Sequence, residues 1–180
     1  INSDLKESIE YSILLHDIGK VLPYFQIRYV KNNDYKPFEI TVNIYHSLLS
    51  VLFINQEKLK EKIGEENTNF VLSAVAYHHW KENLEFLIRH GYETFEEFNY
   101  KLSGKVSELE NNILNELKQK DIKDLIKFNH DMLNGLINGI SFSDYVVPPY
   151  NLYWLPKRIE VDFEKKKKWI LISGFLQRCD

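Results

Sequence analysis

The 180-residue chain is poor in cysteine, glycine and proline, and each shortage excludes a class of protein. Its one cysteine, Cys179, cannot form an internal disulfide, which excludes a disulfide-stapled secreted domain and indicates a reducing, cytoplasmic compartment. Seven glycines and five prolines are too few for the many turns of a β-sandwich. No apolar run approaches the roughly 20 residues of a membrane-spanning helix, so we expect no membrane partner.

The chain also has no excess of positive charge, with 23 Lys and Arg against 26 Asp and Glu and a net charge of −3. Broad electrostatic capture of nucleic acid is therefore disfavoured, although a partner could deliver a nucleic acid substrate. With 44% hydrophobic and 27% charged residues, the composition is typical of one globular domain, which we expect over residues 1–180. Because the sequence starts at Ile1 without an initiator methionine, we interpret it as a piece of a longer chain.

Apolar residues recur at helical spacing along most of the chain, which predicts an all-α fold. The aromatic stretch 22–40 fits a loop or a short hairpin. The predicted helices run from an N-cap at Ser3 to Ile18 with Gly19 as the stop, then over 41–55, 67–80 and 84–89, through the helical region 95–140, and from Asp162 to the end.

Four of the six histidines lie on apolar helical faces or directly at their ends, and an aspartate follows the first. These five residues are His16, Asp17, His46, His78 and His79. Their side chains are expected to point towards the core, where an unpartnered polar group costs roughly 2–7 kcal/mol. A shared metal site would satisfy them together, because imidazole nitrogen and carboxylate oxygen both bind transition metals. Adjacent helical residues diverge by about 100°, so the two pairs could serve two ions, the arrangement that hydrolyses phosphate esters.

Each histidine taken alone has a simpler interpretation. A single histidine on an apolar face, such as His46, is more often a hydrogen-bonded core residue than a ligand. The dipeptide His130-Asp131 repeats the first pair without a following Gly-Lys, and we assign it to the surface or to helix packing. His90, beside Gly91, is an equally poor candidate. The metal-site interpretation rests on the ordered series as a whole.

Three motifs follow one another in a fixed order: His16-Asp17-Ile18-Gly19-Lys20 with Phe25-Gln26 after it, then His46, then Tyr77-His78-His79. Together they resemble the HD superfamily of metal-dependent phosphohydrolases, and within it the CRISPR-associated HD nuclease of type I interference systems. The resemblance implies an HD-domain helical bundle. The family places a further histidine on a helix before the His-Asp motif, so we expect that N-terminal helix to be missing here. The segment 95–140 is expected to be a helical insertion that forms a solvated outer layer.

The resemblance implies roles for seven residues. His16 would bind a first metal ion, Asp17 would bridge both ions, and the histidines at positions 46, 78 and 79 would hold the second. Lys20 would neutralise charge at the scissile phosphate, and Asp180 would be the family's closing metal-binding aspartate. The ions would be two divalent transition metals (Mn, Fe, Co or Ni), which suit a histidine-rich site better than magnesium.

The activity implied by the resemblance is hydrolysis of phosphodiester bonds in single-stranded DNA during CRISPR interference, an antiviral defence. The implied partners are a helicase domain or subunit and an RNA-guided CRISPR surveillance complex. Two alternatives stay open: an HD phosphodiesterase acting on nucleotides or cyclic oligonucleotides, including the HD part of a type III CRISPR effector, and a catalytically silent HD docking module.

A path for the DNA strand is a further hypothesis. Its residues would be Lys157, Arg158 and Lys165–Lys168 along the backbone, with Tyr150, Tyr153 and Trp154 stacking on bases. Solvated lysines and aromatic loop packing are the simpler interpretation of the same residues.

Overall fold

The computed structural model describes residues 3–21, 25–31, 45–79, 91–102, 104–116, 120–148 and 162–180. Within these ranges the chain forms nine α-helices and no β-strand, which confirms the all-α prediction. The helices are α1 (Ser3–Leu15), α2 (His46–Leu52), α3 (Gln56–Ile63), α4 (Glu65–Tyr77), α5 (Gly91–Leu102), α6 (Val106–Glu116), α7 (His130–Ile137), α8 (Phe142–Tyr145) and α9 (Phe163–Cys179). Two 3-10 turns (Ile18–Val21 and Lys120–Leu125) and a π-helical turn (Gln26–Val30) complete the elements. No described helix has both the length and the apolar character that crossing a membrane requires.

A cluster of buried apolar side chains lies between α1, α4 and α9 and holds these three helices together. It consists of Ile9, Phe70, Ala74, Ile172 and Leu176. Trp169 of α9 packs on this cluster and its indole Nε1 donates a hydrogen bond to Ser73 Oγ of α4 at 3.2 Å. This packing fixes α9 so that its last residues lie near the C-terminal ends of α1 and α4.

The segment 95–140 belongs to the main core and is not the solvated outer layer that we expected. Phe98 and Leu109 are almost completely buried, in the same cluster as Leu48 of α2 and Val75 of α4. The backbone also joins the segment 95–140 to the residues after α2, because Ile54 and Ile126 form an isolated antiparallel bridge. The expectation was wrong because helical periodicity shows which face of a helix is apolar but not what covers that face.

Helix α1 ends at Leu15 instead of Ile18, because the chain turns at residues 16–17 and continues as a 3-10 turn. Gly19 lies in this turn without the left-handed φ of a helix stop. A Cβ at Gly19 would overlap the backbone carbonyl oxygen of His46 and lie 3.0 Å from Leu49 Cβ. Glycine is therefore required here for the close approach of the turn to α2.

The second and third predicted helices also have different bounds. Tyr45 is extended, with φ −63° and ψ 135°, so α2 begins only at His46. Asn55, expected to end that helix, instead caps the unpredicted helix α3, because its side chain accepts a hydrogen bond from Lys58 N. Helix α4 ends at Tyr77, before the predicted end at residue 80.

The remaining predictions on secondary structure divide into tested and untested ones. Asp162 caps α9 by accepting a hydrogen bond from Lys165 N, which confirms the predicted start of the last helix. The stretch 22–40 contains the π-helical turn where a loop or hairpin was expected. Residues 32–40 and the predicted helix 84–89 lie outside the described residues.

Candidate metal centre

All seven predicted site residues lie together at one end of the helical bundle. They come from the turn after α1 (His16 and Asp17), the 3-10 turn (Lys20), the start of α2 (His46), the turn after α4 (His78 and His79) and the residue after α9 (Asp180). The helix ends carry these side chains because α1, α4 and α9 pack side by side and Gly19 allows the first turn to touch α2. Residues that are far apart in the sequence thus form one cluster.

The polar atoms of this cluster form two groups, each able to hold a metal ion. One group is His46, His78 and His79, and the other is His16, Asp17 and Asp180. Within each group the ligand atoms lie within 4.8 Å of one another. The first group offers three imidazole nitrogens, and the second offers one imidazole and two carboxylates. Both donor sets suit divalent transition metals.

Two carboxylates connect the groups. Asp17 places Oδ2 at 3.2 Å from His16 Nε2 and Oδ1 at 3.4 Å from His46 Nε2. Asp180 places Oδ1 at 3.7 Å from His16 Nε2 and Oδ2 at 3.6 Å from His79 Nε2. The resemblance implied a connecting role for Asp17 alone, whereas the geometry gives Asp180 the same reach.

Backbone carbonyls orient two of the imidazoles. His16 Nδ1 lies 2.7 Å from Ile13 O, and His78 Nδ1 lies 2.7 Å from Val75 O. Since a carbonyl oxygen only accepts, each Nδ1 carries the proton and the neutral ring presents the lone pair of Nε2 to the cluster. This is the tautomer that a metal ligand needs.

Unsatisfied polar atoms support a cation at this place. His16 Nε2 and Asp17 Oδ1 are buried without a hydrogen-bond partner among the described residues. Buried polar atoms left in this state are costly, and a metal ion between them would compensate. The residues present therefore fit a metal centre.

The pKa values of the cluster depend on the balance between burial and charge. Burial, with the nearby Lys20 ammonium next in size, lowers the pKa of His46 to about 4. Burial likewise lowers the pKa of His78 to about 4, against the opposing effect of the Val75 carbonyl. Burial alone would raise the pKa of Asp17, but the neighbouring His16 and Lys20 side chains outweigh it and hold that pKa well below its usual range.

The pKa of His16 moves in the opposite direction to those of His46 and His78. Burial alone would lower it, but the adjacent carboxylate of Asp17, the Ile13 carbonyl and the charge of Asp180 together raise it. At neutral pH His46 and His78 are therefore unprotonated and Asp17 is ionised, which are the forms that bind a cation.

Lys20 lies beside the two carboxylates. Its Nζ is 2.7 Å from Asp17 Oδ2 and 3.6 Å from Asp180 Oδ1, and its side chain is 28% exposed. Gln26 Nε2 donates a hydrogen bond to Lys20 O at 2.8 Å, which ties the π-helical turn to the 3-10 turn. The ammonium group is thus held at the edge of the cluster with access to solvent.

Ser50 supports the site and was not found from the sequence. Its hydroxyl is buried and lies 2.6 Å from His16 O and 2.8 Å from His46 O, both of which are placed to accept its single proton. The same oxygen accepts a hydrogen bond from Gly19 N at 2.8 Å. One side chain therefore connects the backbone of the His-Asp turn with the first turn of α2. The sequence offered one hint of this supporting role, namely that Ser50 lies one helical turn after His46.

The other predicted functional residues lie elsewhere. The control pair His130 and Asp131 is exposed on α7, as predicted.

Lys165–Lys168 are at the end of α9 remote from Asp180, about 18–22 Å away at 1.5 Å per residue. A cavity of about 650 Å³ beside them is lined by acidic as well as basic side chains, and Lys165 Nζ lies 3.9 Å from Glu66 Oε1. The path residues 150, 153, 154, 157 and 158 lie outside the described residues, as does His90.

Comparison with known proteins gives one match. A family model described as the HD domain of Cas3 matches residues 2–138, which is more than half of the chain. No curated protein and no solved structure matches the chain. The matched range contains every site residue except Asp180, and it includes nearly all of the segment that was predicted as an insertion. The chain belongs to the Cas3 HD-domain family of CRISPR-associated, metal-dependent nucleases.

Proposed function

We propose that the chain is a metal-dependent nuclease that hydrolyses phosphodiester bonds of single-stranded DNA in CRISPR interference. The observation that carries the proposal is the pair of ligand groups joined by Asp17 and Asp180. Two adjacent metal positions are the usual apparatus for phosphodiester hydrolysis. A silent docking module would have no need for buried, unsatisfied ligand atoms at this place.

Two divalent transition ions (Mn, Fe, Co or Ni) would be held by the cluster. His46, His78 and His79 would hold one ion, and His16 with Asp180 would hold the other, with Asp17 shared between them. When bound, these ions supply an activated water molecule and stabilise the charge of the phosphate oxygens. The carbonyls of Ile13 and Val75 keep two of the imidazoles in the required orientation.

Lys20 would stabilise the negative charge that develops on the phosphate. Its ammonium group lies next to Asp17 and is partly open to solvent, so a phosphate oxygen can approach it from outside. A preoriented cation of this kind lowers the barrier because it needs no reorganisation during the reaction. Loss of the ammonium group should therefore reduce the rate of cleavage more than it reduces metal binding.

The net charge of −3 bears on the substrate and the partners. A protein with this charge has little general affinity for DNA, so the strand would reach the site through a helicase domain or subunit. An RNA-guided surveillance complex would recruit that assembly to its target in the cytoplasm. The chain's own task would then be hydrolysis at the metal centre.

The test is a nuclease assay on the 180-residue chain with a labelled single-stranded oligonucleotide and added Mn²⁺ or Ni²⁺. We expect metal-dependent cleavage that EDTA abolishes and that Asp17→Ala loses, because that change removes the shared ligand. Asp131→Ala is the matched control, since Asp131 belongs to the exposed second His-Asp pair. Cleavage by Asp17→Ala at the rate of the parent would refute the proposal.

Parallel reactions distinguish the substrates. Double-stranded DNA, cyclic dinucleotides and deoxynucleoside triphosphates are offered under the same conditions. Preferred hydrolysis of a cyclic dinucleotide or a triphosphate would contradict the proposed substrate while leaving the metal centre intact. Absence of bound metal after reconstitution would contradict the metal centre itself.

A further inference from the structure

The side chains of Phe25 and Tyr29 form a row of two aromatic rings between the metal cluster and the protein surface. Phe25 places its ring centroid 5.7 Å from that of His46, at an interplanar angle of 64°. The Tyr29 ring follows at 4.9 Å from Phe25, with the planes inclined by only 31°. The rings thus run in series from a predicted metal ligand to Phe25 and then to Tyr29.

The outer ring of this aromatic row, that of Tyr29, is exposed to solvent. Tyr29 is 59% exposed and its neighbour Val30 is 54% exposed. Both lie on the π-helical turn, an element that is rare in proteins and is frequent at functional sites.

The ammonium group of Lys20 lies beside the same aromatic row. Lys20 Nζ is 5.7 Å from the centroid of the Phe25 ring, while it also contacts Asp17. A single strand presents alternating phosphates and bases, and proteins bind it by combining cations for the phosphates with aromatic faces for the bases. The cluster offers the ammonium group at the cleavage position and the aromatic faces directly beside it.

We propose that Phe25 and Tyr29 form a base-stacking platform that holds a nucleobase of the single-stranded substrate next to the scissile phosphate. The inference rests on the proposed function, because it assigns the contact for the base beside the cleaved bond. The aromatic candidates of the late segment, residues 150–154, lie outside the described residues, whereas Phe25 and Tyr29 lie beside the cluster. Since stacking accepts every base, the platform would give affinity without strong sequence preference.

Tyr29 is the residue to vary, because Phe25 also packs against His46 and its removal would disturb the metal cluster. We expect Tyr29→Ala to raise KM for a single-stranded oligonucleotide by about 5- to 150-fold, the range measured for loss of one stacked base. Tyr29→Phe keeps the aromatic face and should stay close to the parent. The matched control is Tyr100→Ala, which removes a tyrosine that is 82% exposed on α5.

Two further measurements separate stacking from a general effect on folding or metal content. Bound Mn²⁺ per chain is measured for each variant and should equal that of the parent. Affinity is measured by fluorescence anisotropy in EDTA, with a normal oligonucleotide and with one that is abasic at every position. The difference between parent and Tyr29→Ala should disappear with the abasic strand, because there is then no base to stack.

The outcomes distinguish the two proposals. If the parent cleaves DNA and Tyr29→Ala matches it in KM and affinity, the platform is refuted while the proposed function stands. If Tyr29→Ala loses the same affinity for the abasic strand, the residue does not stack on that base and the inference also fails. If the parent neither binds nor cleaves a single strand, both proposals fail together.

Discussion

Ser50→Ala is the substitution that most specifically tests how the metal cluster is positioned. The change removes the acceptor of Gly19 N–H and the single hydroxyl proton that the carbonyls of His16 and His46 are both placed to accept. The contacts of the hydroxyl with Gly19 N and His16 O are buried, and water cannot replace the hydroxyl there without opening the contact between the 3-10 turn and α2. The proposed ligands His16 and His46 would then no longer be held at a fixed distance from each other.

The size of the effect follows from the bonds that are lost. A buried backbone N–H without an acceptor costs about 1–3 kcal/mol. For a chain of this length that corresponds to a fall in Tm of about 2–12 °C. Loss of a group that orients ligands lowers metal affinity by about 10- to 100-fold, and we expect Mn²⁺ affinity to fall by that factor.

The assay combines calorimetric titration with Mn²⁺ and thermal unfolding in EDTA. Ser8→Ala is the matched control, because Ser8 is equally buried but donates only to Asp4 O of its own helix, at 2.7 Å. We expect Ser8→Ala to keep the metal affinity of the parent. A Ser50→Ala protein that is less stable but binds Mn²⁺ as tightly as the parent would refute the positioning role.

Two other predictions concern the same end of the bundle. Gly19→Ala should lower both stability and metal affinity, because the added Cβ overlaps the His46 carbonyl; titration with Mn²⁺ checks this, with Gly174→Ala, where a Cβ would meet nothing within 4 Å, as the control. The metal-free protein should become more stable as the pH rises from about 4 to 6.5, because the pKa of His46 and of His78 is about 4 in the folded chain and 6.5 in the unfolded chain, so the unfolded chain binds more protons in that window. Above pH 6.5 His16 has the opposite effect on the free energy of unfolding. Its pKa is raised in the folded chain, so the stability that its protonated ring contributes is lost as the pH rises through the folded-state pKa of His16. Equal Tm values at about pH 4.5 and 6.5 in EDTA would contradict these pKa shifts.

The helical fold was predictable because large apolar residues recur at helical spacing. The candidate ligand residues could be singled out because they interrupt those faces in a fixed order. Helix α3 was missed because it buries only Leu59 and Ile63 among charged residues, too few to show a period. The core position of residues 95–140 was also missed, because a single sequence does not show which apolar faces meet.

The detailed arrangement of the cluster depends on contacts between distant segments. Gly19 was interpreted as a helix stop, whereas its role is to let two backbones approach. No sequence motif marks Ser50 or Tyr29 as functional, and their place at the cluster follows from contacts that form only in the folded chain. The reach of Asp180 to both ligand groups likewise depends on how α9 packs against α1 and α4.

The pair of metal positions is tested most directly by anomalous diffraction from a crystal of the chain loaded with Mn²⁺. We expect two anomalous peaks, one between His46, His78 and His79 and the other between His16, Asp17 and Asp180. Asp17 should contact both ions. Peaks located only at other residues, or no peak within this cluster at saturating Mn²⁺, would contradict the account.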